Sequence, residues 1–222
     1  MKSIKQDNMN RISNSIWDAS ECVLALIDYQ QGVFDIVYEQ DHRVIELNVC
    51  SLAKAAIAFN IPVVLSTLGV KLGVNTPTIP SLIRELPGIT EIDRSSMNAW
   101  EDEDFVNAIN ATGRKKLVVC GISTSTCMAF AAVEAINDGY EVMFIEDATG
   151  DQYKRKHEVA VERLIQAGAI PNSTIAMIAE WFRDWRSPFA SFAGKLFVSY
   201  FDEIAPLKTT PETYSYKGLA NN

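Results

Sequence analysis

Short apolar runs recur along the chain at wide intervals, each ended by a turn or charged residue. CVLALID (22–28), PVVLSTL (62–68), KLVVCG (116–121) and EVMFIED (141–147) are rich in β-branched and aliphatic residues and lack polar alternation. That is the pattern of strands covered on both faces. Weaker strands are predicted near 89–93 and near 174–178. Between the runs lie stretches of helical period: VIELNVCSLAKAAIAF before the second, EDFVNAINATG before the third, TCMAFAAVEAINDG after it, and HEVAVERLIQAG after the fourth. Gly113, Gly139 and Gly168 fall just past three of these helices, where a left-handed cap is wanted.

Strands alternating with helices of this length require right-handed crossovers. The expected fold is therefore α/β, a three-layer α/β/α arrangement with a central, mostly parallel sheet of about six strands. The core domain is expected over residues 18–186, preceded by an extension at 1–17. It is followed by a segment at 187–222, apolar at first (SPFASFAGKLFVSYFDEIAP) and then polar. The apolar part is difficult to leave in water, so it is expected to pack on the domain or on a neighbouring subunit.

Composition changes this picture little. At 222 residues, 48% hydrophobic and 22% charged, the chain is an ordinary globular one. A net charge of −8 and a pI near 4.8 exclude general attraction to nucleic acid or to an anionic membrane and point to a small-molecule partner. No apolar run is long enough to span a bilayer and the N-terminus has no signal-type apolar segment, so a soluble, cytoplasmic protein is expected. Cys22, Cys50, Cys120 and Cys127 show no metal-ligand spacing and read as reduced thiols.

In an open parallel sheet, ligands sit beyond the carboxyl ends of the strands. The residues delivered there are Asp28 after the first strand, Arg94 after the weak third, and Cys127 after the turn GISTSTC. Singly, each has a bland alternative: a turn cap, a surface charge, a small buried hydrophobe. Together they bring an acid, a cation and a thiol to one edge. Cys127 opens a helix, and that position with Arg94 nearby is expected to favour its thiolate. His42 and His157 lie in charged segments and read as solvated. Neither a G-x-S-x-G elbow nor a glycine-rich phosphate loop occurs.

The segments LIDYQQGVF, DRSSMNAWEDEDF, VVCGISTSTCMAF and GYEVMFIEDATG, taken as a set, resemble the isochorismatase-like cysteine hydrolases, and NAWEDEDF with RDWRS resembles their YcaC-like branch. The resemblance covers about residues 22–186. It implies a Rossmann-like fold, a catalytic set of Asp28, Arg94 and Cys127, and a cis peptide at Ser123–Thr124. It further implies an oxyanion hole from the N–H groups of Thr124 and Cys127, and substrate contacts at Phe34, Asn98 and Trp100. Core packing and capping remain the alternative for those last three. Metal-binding relatives add a D-x-H pair that this chain lacks, so no metal and no other cofactor is expected. Arg94 stands where many members have Lys and, being unable to lose its proton, suits a fixed cation rather than a proton shuttle. The implied activity is hydrolysis of a small amide-like substrate through a covalent thioester-type intermediate. A tetramer or octamer is the implied assembly. A binding protein that kept the fold without turnover, or a thiol redox sensor, are the alternatives.

Overall fold

The structure, a computed structural model, describes residues 16–209. Its elements run β1 (Cys22–Ile27), α1 (Gln31–Phe34), α2 (His42–Ala58), β2 (Val63–Leu68), α3 (Pro80–Glu85), β3 (Glu91–Arg94), α4 (Glu103–Ala111), β4 (Lys116–Gly121), α5 (Ala129–Asn137), β5 (Glu141–Ile145), α6 (Lys154–Ala167), β6 (Ile170–Asn172), α7 (Thr174–Phe182) and α8 (Ala190–Ile204). The six strands form one parallel sheet in the order β3-β2-β1-β4-β5-β6. Helices cover both faces, giving the expected α/β/α layers.

Alternation along β1 sorts the core. Leu24 and Leu26 enter one cluster with α2 and α7, while Val23, Ala25 and Ile27 enter the other with α4 and α5. Because β1 is central, every one of its side chains is buried, which is why it reads as an unbroken apolar run. The three capping glycines have positive φ, 67° at Gly113, 80° at Gly139 and 102° at Gly168. Among the described residues, no helix is long and apolar enough to cross a membrane.

The expected strand near 174–178 is instead the helix α7. Met177, Ile178, Trp181 and Phe182 recur at helical spacing and bury one face, and Asp147 accepts hydrogen bonds from the Thr174 N–H (2.8 Å) and hydroxyl (2.7 Å) at its start. The sixth strand lies just before it. It is three residues long and contains Pro171, which an edge strand tolerates because a missing N–H there breaks no inner ladder.

Trp17, expected to close the N-terminal extension, is fully buried, and its backbone N–H donates to Glu180. At the other end, α8 packs on the chain's own domain: Phe189 and Phe192 meet Phe59, and the Tyr200 hydroxyl donates to Asn48. Its outer side carries Val198 and Phe201, beside Trp185, all more than half exposed. The polar stretch 210–222 lies outside the described residues.

Candidate active site

The strand order reverses between β1 and β4, which makes their carboxyl ends the topological switch point and the natural crevice of the sheet. The approach of the two strands there is tight. A Cβ on Gly121 would stand 2.6 Å from the Ile27 carbonyl oxygen and 2.8 Å from the Ile27 Cβ, so only glycine fits. Beyond it the Ile122 N–H donates to the Ile27 carbonyl (3.0 Å), carrying the pairing one residue past the strand.

Asp28 follows β1 directly. Its φ of 60° lies in the left-handed region, which Asp enters more readily than most residues. Its N–H still bonds the Ser66 carbonyl of β2, so the turn is held to the sheet. Arg94 ends β3 in register with Leu68 of β2 and reaches across the end of β2. One guanidinium nitrogen lies 2.6 Å from Asp28 Oδ2 and another donates to the Ser96 carbonyl. Both side chains of this ion pair are fully buried. Among the described residues, no nitrogen or oxygen partner meets Asp28 Oδ1 or Arg94 Nε.

Cys127 sits in a wide π-type turn, Thr124–Met128, that opens α5. Such turns are rare and occur disproportionately at functional sites. The thiol is 3% exposed and faces Asp28. The three residues predicted from separate segments are therefore brought together.

The electrostatics differ from the sequence expectation. Burial pushes the Cys127 thiol up to about 11, and the negative charge of Asp28 adds to that, more than Arg94 offsets. Burial likewise raises Asp28, with the Arg94 charge and the Cys127 thiol pulling the other way. The helix start does not yield a resting thiolate. The site holds a protonated thiol opposite a carboxylate paired with a fixed cation, so a base must remove the proton when the thiol acts.

Two further details correct the expectation. The cis peptide bond is Ile122–Ser123, one residue earlier than the Ser123–Thr124 position implied by the resemblance. The Thr124 N–H, expected in the oxyanion hole, donates to the Gly150 carbonyl at 2.8 Å, because the connection after β5 runs alongside the turn and pairs with it. The N–H groups of Thr126 and Met128 both turn back to the Ser123 carbonyl, with Cys127 between them.

Phe34, Asn98 and Trp100 are all buried and have structural contacts. Phe34 packs between Tyr29 and His42. Asn98 caps a short 3-10 turn, accepting from the Trp100 N–H (3.0 Å) and donating to Glu101. Trp100 stands edge-on to Tyr140 and Phe105 and donates its indole N–H to Asp138. Trp100 shares the core cluster of Cys127, whereas Phe34 lies in the cluster on the other face of the sheet.

Neither histidine is a plain solvated side chain: His42 is half-buried and His157 buried. His42 bonds the Val37 carbonyl beside Phe34, and His157 is 7% exposed with Nδ1 2.9 Å from the Thr124 hydroxyl. Helix periodicity placed them on charged stretches but could not show which loop covers each. Asp151 was also missed: it lies in the connection after β5, beyond a 3-10 turn at Glu146–Ala148, and only the crossing of that connection over the Cys127 turn brings it to the site. It is fully buried and accepts the Ser125 N–H at 2.7 Å.

Sheet order, switch-point crevice and buried acid, cation and thiol together define a class, and over residues 22–176 the chain matches the isochorismatase domain family. It belongs to that family. Within it the chain is a hydrolase of the YcaC-like branch. It is 34% identical over 197 residues to the probable hydrolase YcaC of Escherichia coli (strain K12), covering 88% of this chain and 94% of that protein. The solved structure of Escherichia coli YcaC, an octameric hydrolase of unknown specificity, has a TM-score of 0.77 at 33% identity and covers 86% of this chain and 91% of its own. YcaC from Pseudomonas aeruginosa, solved with hexane-2,5-diol and covalent acrylamide, has a TM-score of 0.79 at 30% identity, covering 88% and 94% respectively.

Proposed function

We propose that the chain hydrolyses a small amide-like substrate at a C–N bond, with Cys127 as nucleophile, Asp28 as general base and acid, and Arg94 as fixed cation. The observation that carries this reading is the buried Asp28 carboxylate, which meets the Cys127 thiol through a side-chain hydrogen bond while its Oδ2 is also committed to Arg94. A buried carboxylate hydrogen-bonded to a thiol can take its proton, and a buried thiol raised to about 11 needs such a base.

The Cys127 S–H proton passes to Asp28 as sulfur attacks the substrate carbonyl carbon, and the resulting oxyanion is met by the Cys127 N–H at the helix start. The C–N bond breaks, the nitrogen takes the proton from Asp28, and amine or ammonia leaves a thioester on Cys127. Water then gives a proton to Asp28 and attacks the thioester, releasing the carboxylic acid, and sulfur recovers its proton. Arg94 holds Asp28 in place throughout and compensates the buried carboxylate charge. The acrylamide bound covalently by the Pseudomonas aeruginosa relative supports a reactive group in this branch and an amide-sized ligand.

The experiment is intact-mass spectrometry after mixing with a panel of small primary amides. A mass increase on Cys127 that decays in water, together with turnover lost in Cys127→Ala, is expected. Turnover that persists in Cys127→Ala overturns the assignment. One observation favours a second reading: Cys127 and Asp28 are so little exposed that a closed, non-catalytic binding site is compatible with the same contacts. Saturable binding with no mass shift would establish it in place of the first.

We further propose a homo-oligomer. Support comes from the octameric Escherichia coli relative and from the exposed apolar surface of Trp185, Val198 and Phe201. A monomeric mass by light scattering at micromolar concentration would refute this.

A further inference from the structure

The turn that carries Cys127 is built from polar residues whose hydrogen bonds leave it on the side of the β5–α6 connection. The Thr124 N–H goes to the Gly150 carbonyl (2.8 Å), the Thr124 hydroxyl meets His157 Nδ1 (2.9 Å), and the Ser125 N–H goes to Asp151 Oδ2 (2.7 Å). Asp151 is itself fixed on two further sides. Its Oδ1 accepts the Gln152 N–H (2.8 Å) and its own N–H donates to Gln40 Oε1 (2.9 Å). Burial works against its charge, but the bonds from Ser125, Ser123 and Gln152 outweigh that and hold the carboxyl below the usual carboxylate range. Burial also keeps His157 below the ordinary histidine range, so the ring is neutral at pH 7 and one nitrogen is available to accept the Thr124 hydroxyl proton.

We infer that Asp151 and His157 are positioning residues for Cys127. Resting on the nucleophile reading above, the inference is that they clamp residues 123–125 and so fix where the thiol stands against Asp28. Neither touches the reacting atoms. Asp151 and His157 are buried polar groups, and the hydrogen bonds that offset their burial are spent on this turn. Their bonds converge on consecutive residues of one turn, and that turn leads directly into the nucleophile. Geometry of this kind matters because misplacement of a reacting group by about 1 Å can cost ~100-fold in rate.

The test uses His157→Ala, His157→Asn and Asp151→Asn in the full chain. An Asn amide occupies the Nδ1 position of the ring and can still bond the Thr124 hydroxyl, so His157→Asn is the rescue variant. Two readouts are taken below the melting temperature on samples shown to be folded by near-UV circular dichroism. These are the rate of Cys127 alkylation by iodoacetamide, which needs no substrate, and the split of kcat from KM on whichever amide turns over. For His157→Ala a ~10- to 100-fold loss in kcat with little change in KM, and a slowed alkylation, is expected, with recovery toward the parent in His157→Asn. For Asp151→Asn the loss should be smaller, because one acceptor oxygen remains for the Ser125 N–H. If folded His157→Ala alkylates and turns over as the parent does, the positioning role is overturned. Should no substrate be found, the alkylation rates alone still decide it, and a failure of the amidase reading shows separately as turnover surviving Cys127→Ala.

Discussion

Replacing Asp28 by Asn separates the acid–base role proposed for this residue from its electrostatic one, and the two move measurements in opposite directions. In the parent the thiol stands at about 11. Its thiolate fraction at pH 7.5 is then roughly 3 in 10,000. Removing the carboxylate charge while the Arg94 guanidinium stays leaves a cation facing the thiol unopposed. A change of one charge at contact distance moves a neighbouring pKa by about 1–3 units, here downward. Because nucleophilicity falls as the pKa falls, the gain in alkylation rate is smaller than the gain in thiolate, roughly 3- to 50-fold at fixed pH. Turnover moves the other way. Loss of the group that takes the thiol proton and returns it to the leaving nitrogen should cost about 10²–10⁴ in kcat/KM. The assay is the pH profile of iodoacetamide labelling at Cys127, read by peptide mass, beside kcat/KM on a small amide. Asp28→Glu, which keeps the charge, should not speed labelling and serves as the control if Asp28→Asn is poorly folded. Labelling that slows in Asp28→Asn, or a labelling midpoint that fails to fall, refutes the claim that Asp28 raises the thiol.

Other consequences follow from the same geometry. Arg94→Ala should destabilise the fold by about 3–5 kcal/mol in urea unfolding, because it leaves the Asp28 carboxylate buried and unpaired, while Arg94→Lys should recover part of that loss. Gly121→Ala should cost about 1–3 kcal/mol by overpacking, since the added carbon meets Ile27 backbone that cannot move aside, and it should reduce turnover by parting β1 from β4. Stability should fall at alkaline pH: Cys22 and Cys127 are raised to about 11 and Cys50 and Cys120 to about 12 from an ordinary 9.0, so their contribution is complete below pH 9 and lost as pH rises through 11–12. Denaturant titrations at pH 9 and pH 10 should differ by roughly 1 kcal/mol for each buried thiol. Addition of EDTA should leave amide turnover unchanged, and its abolition by chelator would contradict the metal-free mechanism.

Much of the scaffold could be read from residue pattern because its central strands are buried on both faces, and burial on both faces writes itself as an uninterrupted apolar run. β1, β2, β4 and β5 were legible for that reason. The edge of the sheet was not. β6 is only three residues with a proline, and the residues after it, TIAMI, combine β-branched and apolar types that fit a strand as well as the start of a helix. What decided for α7 was tertiary: Asp147 caps it and Trp181 and Phe182 one turn later complete its buried face. Short runs carry too little periodicity to settle this alone.

The site divides along the same line. Asp28 and Cys127 were found because the switch-point rule names positions, namely strand ends, and both lie at them. Arg94 was found as the end of β3, but its burial was not: of that strand's residues only Arg94 is buried, since the register with β2 sets its side chain under the turn that follows β1. Asp151 and His157 belong to a connection whose crossing of the Cys127 turn is set by how far β5 extends, and a local pattern cannot encode that distance. The consequence for chemistry is specific. A buried Asp–Arg pair is electrically neutral, and a neutral thiol added to it keeps the site neutral, so a single proton moving from sulfur to carboxylate leaves a thiolate beside Arg94 and no net change in buried charge. A lysine in the same place could lose its own proton and share that transfer. With arginine the whole burden falls on Asp28, which is why the labelling and turnover profiles of Asp28→Asn should part company in this protein.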